Sequence, residues 1–214
     1  MIRKNISLCF LLALAACTQA HLVSLAVPKA TTHTQNMPSG TYTLDKSHAS
    51  MTVRVSHLGL SNYTMQFTDF DATLEFDSQN PQKSSLKAIV YTKSIQTNYP
   101  DTKKKDFDAA LAYQSKWFNA HTFPTATFIS EKIDLTGEKS GIVHGKLTFL
   151  GITKPLSLHV DFNGSYQKKP FAGVAALGFS AKTTLKRSKW GLNTFIPAIG
   201  DDVDITMECE FHKT

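Results

Sequence analysis

The chain has 214 residues, of which 42% are hydrophobic, 19% charged and 10% aromatic, and its formal net charge is +6. This hydrophobic fraction excludes a disordered chain, and no uninterrupted apolar run reaches the ~18 residues of a membrane-spanning helix. The basic excess comes without an arginine-rich cluster or a nucleic-acid motif, so no nucleic-acid partner is expected.

Residues 1–20 are predicted to form a secretory signal peptide, since a short basic segment precedes an apolar stretch and small residues. Two processing outcomes stay open: cleavage after Ala20, or lipidation of Cys17 in the lipobox-like run 14–17. Export predicts a periplasmic protein, which a lipidated Cys17 would anchor to the outer membrane. Removal of the signal leaves 21 basic and 17 acidic residues and a net charge of +4. Cys209 then has no partner for a disulfide within the chain.

Residues 21–39 are rich in Thr, Ser, Pro and Ala and lack a sustained hydrophobic period, which predicts a flexible lead. The folded domain is predicted over residues 40–214. Within it, apolar and polar residues alternate repeatedly, as half-buried antiparallel strands require. The clearest alternating stretches are residues 51–56, 71–77, 156–162 and 203–211.

One short helix is predicted between about Lys103 and Phe118, where Phe107, Ala110 and Leu111 recur at helical spacing. All other periodic segments indicate strands separated by turns. Many strands with one apolar face predict a β-sandwich or a closed barrel, and a barrel is favoured because closure removes exposed sheet edges.

The sequence offers little that indicates catalysis or metal binding. The eight His residues show no pair at metal-ligand spacing, and no nucleophile elbow, Walker loop, dinucleotide fingerprint or Cys-x-x-Cys motif is present. We therefore expect neither an enzyme nor a metal site. Cys209 lies on the apolar face of the last strand, which predicts a buried thiol. His57 continues the inward series of its strand, either as a core histidine or as a polar contact in a ligand cavity.

Phenylalanine is unusually abundant, with 14 residues. Strand parity places Phe76, Phe149, Phe162 and Phe179 on inward faces. Such aromatics can fill a core, or they can line the interior of an eight-stranded barrel around one elongated ligand. Periodicity alone leaves both interpretations open.

Several motifs in order resemble the YceI-like family. The similar segments are 40–45 with His48, 57–61 with Phe67, Trp117-Phe118 with Pro124 and Phe128, the run 143–155 (VHGKLTFLGITKP), and Phe179, Ala181, Arg187, Trp190-Gly191 and 200–203. The resemblance covers about residues 40–212. It departs from the family pattern at Ala110, where a His is common, and at Met65 or Gln66, where a Gly is usual.

The resemblance implies an all-β fold, an eight-stranded antiparallel lipocalin-like β-barrel with one short helix. It also implies an apolar channel for a long amphiphile such as a polyisoprenoid, an isoprenoid quinone or a fatty-acid derivative. No cofactor is expected apart from such a bound lipid or quinone. His57 or Arg187 could contact its polar end, whereas Arg54 has outward parity. The predicted ligand-binding residues are Val53, Val55, His57, Phe67, Leu74, Phe76, Phe118, Phe128, Leu147, Phe149, Leu158, Val160, Phe162, Phe179, Arg187 and Trp190.

The leading functional hypothesis is an exported, non-enzymatic carrier or sequestering protein for isoprenoid-type or fatty amphiphiles. An alternative is a stress-related interaction lipoprotein with a filled barrel, and the presence or absence of a cavity discriminates the two. A weaker alternative is an enzyme acting on an amphiphile, which would require His57 beside Ser56 or Ser61. Lipidation of Cys17, if it occurs, would bring the N-terminus to a membrane, and this contact and pairing into a homodimer both stay open.

Overall fold

The computed structural model describes residues 28–214. The predicted signal peptide with Cys17, and residues 21–27 of the predicted lead, lie outside the described residues. Within the described part, no helix is long and apolar enough to cross a membrane. Over residues 28–214 the fold is a closed barrel of eight long antiparallel strands with one α-helix, which confirms the predicted fold class.

The described part of the chain contributes eleven strand segments to the barrel wall. They are β1 (Gly40–Leu44), β2 (Ser50–His57), β3 (Ser61–Phe67), β4 (Phe70–Phe76), β5 (Ser85–Tyr91), β6 (Ile95–Gln96), β7 (Thr125–Leu135), β8 (Ser140–Phe149), β9 (Ile152–Tyr166), β10 (Ala176–Lys186) and β11 (Ile199–Lys213). Three consecutive pairs, β1 with β2, β3 with β4 and β5 with β6, each form one long strand interrupted by a turn or bend. The eleven segments therefore form eight barrel strands.

The barrel closes because β1 is hydrogen-bonded to β4 on one side and to β11 on the other. Along β11, the pairs Val203 with Val55 and Ile205 with Val53 keep every second side chain on the inner face. Since the side-chain period of a strand is two, the predicted alternation becomes an apolar interior and a polar exterior.

The helix α1 spans Phe107–Tyr113 and is shorter than the predicted segment. It begins after Asp106, whose side chain accepts a hydrogen bond from the Ala109 N–H at 2.8 Å. Leu111 and Ala112 are its buried residues. They anchor the helix on the barrel.

The helix covers the place where the strand pairing stops. β7 begins opposite Tyr91, at the end of β5, and among the described strands β6 is hydrogen-bonded to β3 alone. Residues 97–124, with α1, occupy the position next to β6 and complete that end of the wall.

The two ends of the barrel are packed differently. At the end that carries the β9–β10 turn and the segment before β1, called here the closed end, aromatic side chains fill the interior: Tyr42, Phe70, Phe76, Phe162, Phe179 and Phe211. The Phe162 and Phe179 rings lie 5.4 Å apart. The opposite end, which carries the β2–β3 turn, α1 and the β10–β11 connection, is called the open end, and its interior is not filled.

Residues 28–39, the described part of the predicted flexible lead, lie against the closed end. Thr31 and Ser165 exchange backbone hydrogen bonds of 2.9 and 2.7 Å. Met37 is only 4% exposed, and the buried Tyr42 donates its hydroxyl hydrogen to the Pro38 carbonyl at 2.7 Å. Most of these contacts are hydrogen bonds to backbone groups, which a hydropathy pattern does not predict.

Candidate ligand-binding cavity

A cavity of about 460 Å³ occupies the open half of the barrel. This volume lies in the range of small-molecule sites in proteins. Most of its lining side chains are aliphatic or aromatic, and five are polar or charged. The lining residues are Met51, Val53, Val55, His57, Ser61, Tyr63, Met65, Phe67, Ala88, Val90, Thr92, Tyr99, Phe107, Leu111, Trp117, Phe118, Ala126, Phe128, Leu147, Phe149, Leu156, Leu158, Thr183, Leu185, Arg187, Leu192, Ile199, Val203, Ile205 and Met207. The cavity therefore suits an apolar molecule.

Strand alternation places most of the lining. In β2, Val53 and Val55 are buried at 6% and 8% exposure, while Arg54 between them is exposed. Leu147 and Phe149 repeat this arrangement in β8. The aliphatic wall is the direct product of the period-two pattern.

Aromatic side chains from the helical segment close one side of the cavity. The Phe118 ring lies 5.6 Å from the Phe67 ring and 5.9 Å from the Phe149 ring. Phe107, at the start of α1, lies 6.3 Å from the Tyr63 ring. These contacts join residues 107–118 to β3 on one side of the break in strand pairing and to β8 on the other side.

The floor of the cavity depends on one glycine. Phe128 is 6% exposed, and its ring lies across Gly145 in the neighbouring strand. A Cβ on Gly145 would lie 2.3 Å from the Ile129 carbonyl oxygen and 2.5 Å from the Phe128 ring. Only glycine leaves room for the two strands and the ring at this point.

The mouth of the cavity carries the polar groups that a ligand can reach. His57 and Ser61 are cross-strand neighbours at the ends of β2 and β3, and both are exposed. Among the described residues, neither side chain makes a hydrogen bond, and neither does the Tyr99 hydroxyl. The Tyr63 hydroxyl instead donates to the Thr97 carbonyl at 3.3 Å. His57 is thus at the mouth and not in the packed core.

Arg187 lines the cavity but directs its hydrogen bonds to the backbone. The residue is 3% exposed, and its guanidinium donates to four carbonyl oxygens at 2.7 to 2.9 Å: Leu192 and Thr194 in the β10–β11 connection, and Ile199 and Gly200 at the start of β11. Burial lowers the pKa of this guanidinium, and the nearby Asp201 opposes that shift. The side chain fixes the loop that forms part of the mouth.

Ten of the sixteen predicted ligand-binding residues line the cavity: Val53, Val55, His57, Phe67, Phe118, Phe128, Leu147, Phe149, Leu158 and Arg187. The other six, Leu74, Phe76, Val160, Phe162, Phe179 and Trp190, are not among the lining residues. Four of these pack in or against the aromatic core of the closed end. Trp190 is 2% exposed and donates its Nε1 hydrogen to the Leu147 carbonyl at 3.2 Å, so it supports the wall from behind.

The sequence interpretation missed lining residues in the connections. Tyr99, Leu192 and Ile199 come from irregular segments or a strand end, where no period predicts direction. Phe107 and Leu111 had a usable signal in their helical spacing.

The described residues contain one group of potential metal ligands, Asp45, His48 and Glu210, on the outside of the closed end. The Lys169 ammonium lies 3.6 Å from Asp45 and pairs with Glu210, so a cation already balances these carboxylates. Burial would raise the pKa of Asp45, but hydrogen bonds from Ser47 and His48 outweigh it and hold that pKa well below its usual range. We describe this group as an ion-pair cluster.

Cys209 packs against the aromatic core of the closed end. Burial, with a smaller contribution from the Glu208 charge, raises the pKa of its thiol to about 12. The thiol is therefore protonated at neutral pH, and a protonated thiol is a poor nucleophile. The residue itself is half-buried, which is less than the predicted burial.

The sequence of this chain is similar to those of known proteins. A family model described as YceI-like domain matches residues 42–211. A UPF0312 protein of Pseudomonas fluorescens strain SBW25 is 34% identical over 194 residues, which cover 87% of this chain and 95% of the relative.

Two solved structures share the barrel. A Campylobacter jejuni YceI protein aligns with a TM-score of 0.63 at 25% identity, over 74% of this chain and 90% of that chain. A polyisoprenoid binding domain from Saccharophagus degradans aligns with a TM-score of 0.55 at 12% identity, over 81% and 98% of the two chains. At 12% identity, this second likeness concerns the fold alone.

Proposed function

The chain belongs to the YceI-like family, and from this premise we propose that it is a binding protein for a long-chain amphiphile of isoprenoid or fatty type. The observation that carries the proposal is the apolar cavity of about 460 Å³ in the open half of the barrel. A hydrocarbon chain gains roughly 0.8 kcal/mol for each CH₂ group that leaves water. Burial of the hydrocarbon tail in this apolar cavity is therefore favourable without any polar contact along the tail.

The closed end supports this assignment by limiting the depth of binding. Beyond Phe128 and Leu158 the interior is filled by the aromatic core, so the ligand enters from the open end and stops there. Its apolar tail lies inward and its polar head remains near His57, Ser61 and Tyr99 at the mouth. An amphiphile with one polar end matches this polarity.

The name of the Saccharophagus degradans domain supports the isoprenoid class, because that protein shares the barrel and is described as binding polyisoprenoids. We include in the proposal a transport, storage or sequestering role without catalysis. His57 and Ser61 are neighbours, yet among the described residues no hydrogen bond joins their side chains into a nucleophile and base. Export to the periplasm, with or without acylation of Cys17, is also part of the proposal.

Blocking the cavity tests the proposal. Ala88 lines the cavity, whereas its neighbour Lys87 is exposed on the outer face. Ala88→Trp is expected to reduce binding of a fluorescent isoprenoid alcohol at least about tenfold, because the indole occupies the volume of the tail. Lys87→Trp is the matched control and should bind like the unmodified chain. Thermal unfolding of both variants checks that the barrel is intact.

Equal binding by Ala88→Trp and Lys87→Trp would contradict a ligand inside the barrel. Failure of the unmodified chain to bind isoprenoid and fatty probes alike would contradict the proposed ligand class.

A further inference from the structure

The open end exposes apolar side chains that a water-soluble surface would be expected to bury. Leu58 and Leu60, in the β2–β3 turn, are 58% and 85% exposed, and Phe195, in the β10–β11 connection, is 59% exposed. We call these three residues the mouth tips. Large apolar side chains grouped on a surface mark contacts with proteins or membranes.

The mouth tips form one group beside the cavity. The Leu58 N–H donates to the Ala198 carbonyl at 2.7 Å, which joins the β2–β3 turn to the loop of Phe195. The Phe195 ring lies 6.0 Å from Trp117, which lines the cavity. Apolar surface therefore continues from the interior of the barrel to its outer rim.

Exposed lysines lie beside aromatic residues of the open end. The Lys116 ammonium lies 5.8 Å from the centre of the Phe195 ring, and the Lys105 ammonium lies 4.8 Å from that of Phe107, a lining residue. We call Lys103, Lys104, Lys105 and Lys116 the mouth lysines. Within residues 28–214, none of the four forms an ion pair with a carboxylate.

The carboxylates near the mouth lysines are held by the chain itself. Asp106 caps α1, and Asp108 accepts hydrogen bonds from the Thr97 backbone and hydroxyl at 3.0 and 2.5 Å. Asp101 accepts from the Lys104 backbone N–H at 3.2 Å. Within residues 28–214, these carboxylates do not lie at ion-pair distance from a mouth lysine, so the ammonium groups remain available to an external anion.

We propose that the open end is a docking surface for a membrane containing anionic lipids, with the mouth tips inserted among the acyl chains and the mouth lysines at the headgroups. Apolar tips bordered by lysines are the pattern that interfacial membrane contacts require. The inference rests on the proposed function for its purpose: docked in this way, the cavity opens toward the bilayer, and an amphiphile can enter without crossing water.

The test is equilibrium binding of the exported chain to vesicles of phosphatidylethanolamine and phosphatidylglycerol. Every variant carries Cys17→Ser, so that an acyl anchor contributes nothing. The double variant Leu60→Ser with Phe195→Ser is expected to bind at least about tenfold more weakly, because two apolar side chains no longer leave water. Neither residue lines the cavity, so the amount of lipid inside the barrel should not change.

The chain offers a matched control at the other end of the barrel. Phe171, in the β9–β10 turn, is 99% exposed and has a backbone φ of 65°, close to the 61° of Phe195. Phe171→Ser is therefore expected to bind the vesicles like the parent chain. A loss as large as that of the mouth variant would mean that exposed phenylalanines act anywhere on the molecule, and it would overturn the docking face.

The positive charge of the mouth lysines can be tested independently of the mouth tips. Replacing Lys103, Lys104 and Lys105 together by Gln should weaken binding to the anionic vesicles about tenfold, and the parent chain should bind pure phosphatidylcholine vesicles with similar weakness. Binding that ignores the anionic lipid, or that is restored only when a membrane protein is added, would overturn the proposal in favour of a protein partner.

Failure of docking and failure of the proposed function give different results. A chain that carries lipid in its barrel but binds no vesicles would overturn the docking surface alone. A chain that binds vesicles through the mouth tips but never carries lipid would overturn the proposed function and leave docking intact. Mass spectrometry of the same samples reports the lipid content.

Discussion

Gly145 and Phe128 form the floor of the cavity through a contact that leaves no space for a side chain. We expect Gly145→Ala to lower the free energy of unfolding by about 3 kcal/mol, because the new methyl group would displace a backbone carbonyl and a buried ring. Denaturant unfolding measures the change.

Gly178, in β10, is the control for this substitution. A Cβ there would lie 3.6 Å or more from its nearest neighbours, so Gly178→Ala should change stability by less than about 1 kcal/mol. Equal effects at Gly178 and Gly145 would contradict the close approach at the floor.

His57 is the polar residue at the mouth whose removal separates head recognition from tail recognition. His57→Ala is expected to weaken binding of an isoprenoid alcohol roughly fivefold, the loss of one hydrogen bond worth about 1 kcal/mol. Binding of an isoprenoid hydrocarbon without the hydroxyl should not change. Competition titrations with the two probes measure both affinities.

His159, exposed on the outer face of β9, is the control and should leave both affinities unchanged when replaced by Ala. A similar loss for the hydroxylated and the plain hydrocarbon probes in His57→Ala would show that the imidazole acts on the tail or on the fold.

Individual residues could be predicted as far as strand parity determines direction. Parity identifies Val53, Val55 and Phe149 as inward-facing, and all three line the cavity. It gives the same result for Phe162 and Phe179, which point inward at the closed end and fill the core. Parity reports the face of a strand and contains no information on the distance from either end.

At the scale of elements, Arg187 holds the β10–β11 connection against the start of β11 through four backbone carbonyls, two in each segment. Arg187→Gln should lower the free energy of unfolding by about 3 kcal/mol, because most of these buried acceptors lose their partner. Thermal unfolding measures the loss, and hydrogen exchange should accelerate first in residues 191–199.

Lys186→Gln is the control for the loop, since Lys186 is exposed and pairs with the exposed Asp202. An exposed pair contributes at most about 1 kcal/mol, so the variant should unfold almost like the parent chain. Unchanged exchange of the loop in Arg187→Gln would contradict the role of the guanidinium as its anchor.

The elements themselves were predicted in kind but not in every boundary. Alternation over residues 51–56 and 203–211 located the strands that became β2 and β11. The interruptions within three of the eight barrel strands were not predicted. At the turn 46–48 the buried positions change from even numbers (Tyr42, Leu44) to odd numbers (Met51, Val53), and the sequence interpretation did not identify this change. The helix ends earlier than predicted, since Gln114 adopts extended backbone with φ −68° and ψ 138°.

Considered as a whole, the molecule is a barrel filled in one half and hollow in the other. In the closed half, large rings such as Tyr42, Phe76 and Phe211 pack into one core, whereas in the open half aliphatic and aromatic side chains surround a cavity. The side chains of the open half leave the axis of the barrel unoccupied. The sequence determines which half is filled, but this can be predicted only when the register of all eight barrel strands is known.

The content of the barrel is the most direct measure of the proposed function. The protein should be purified from its native host under gentle conditions and analysed by native mass spectrometry, followed by extraction and identification of any released molecule. We predict one isoprenoid-type or fatty amphiphile for each chain, absent from Ala88→Trp and retained in Lys87→Trp. Repeated recovery of an empty barrel that also takes up no added amphiphile would contradict the proposal.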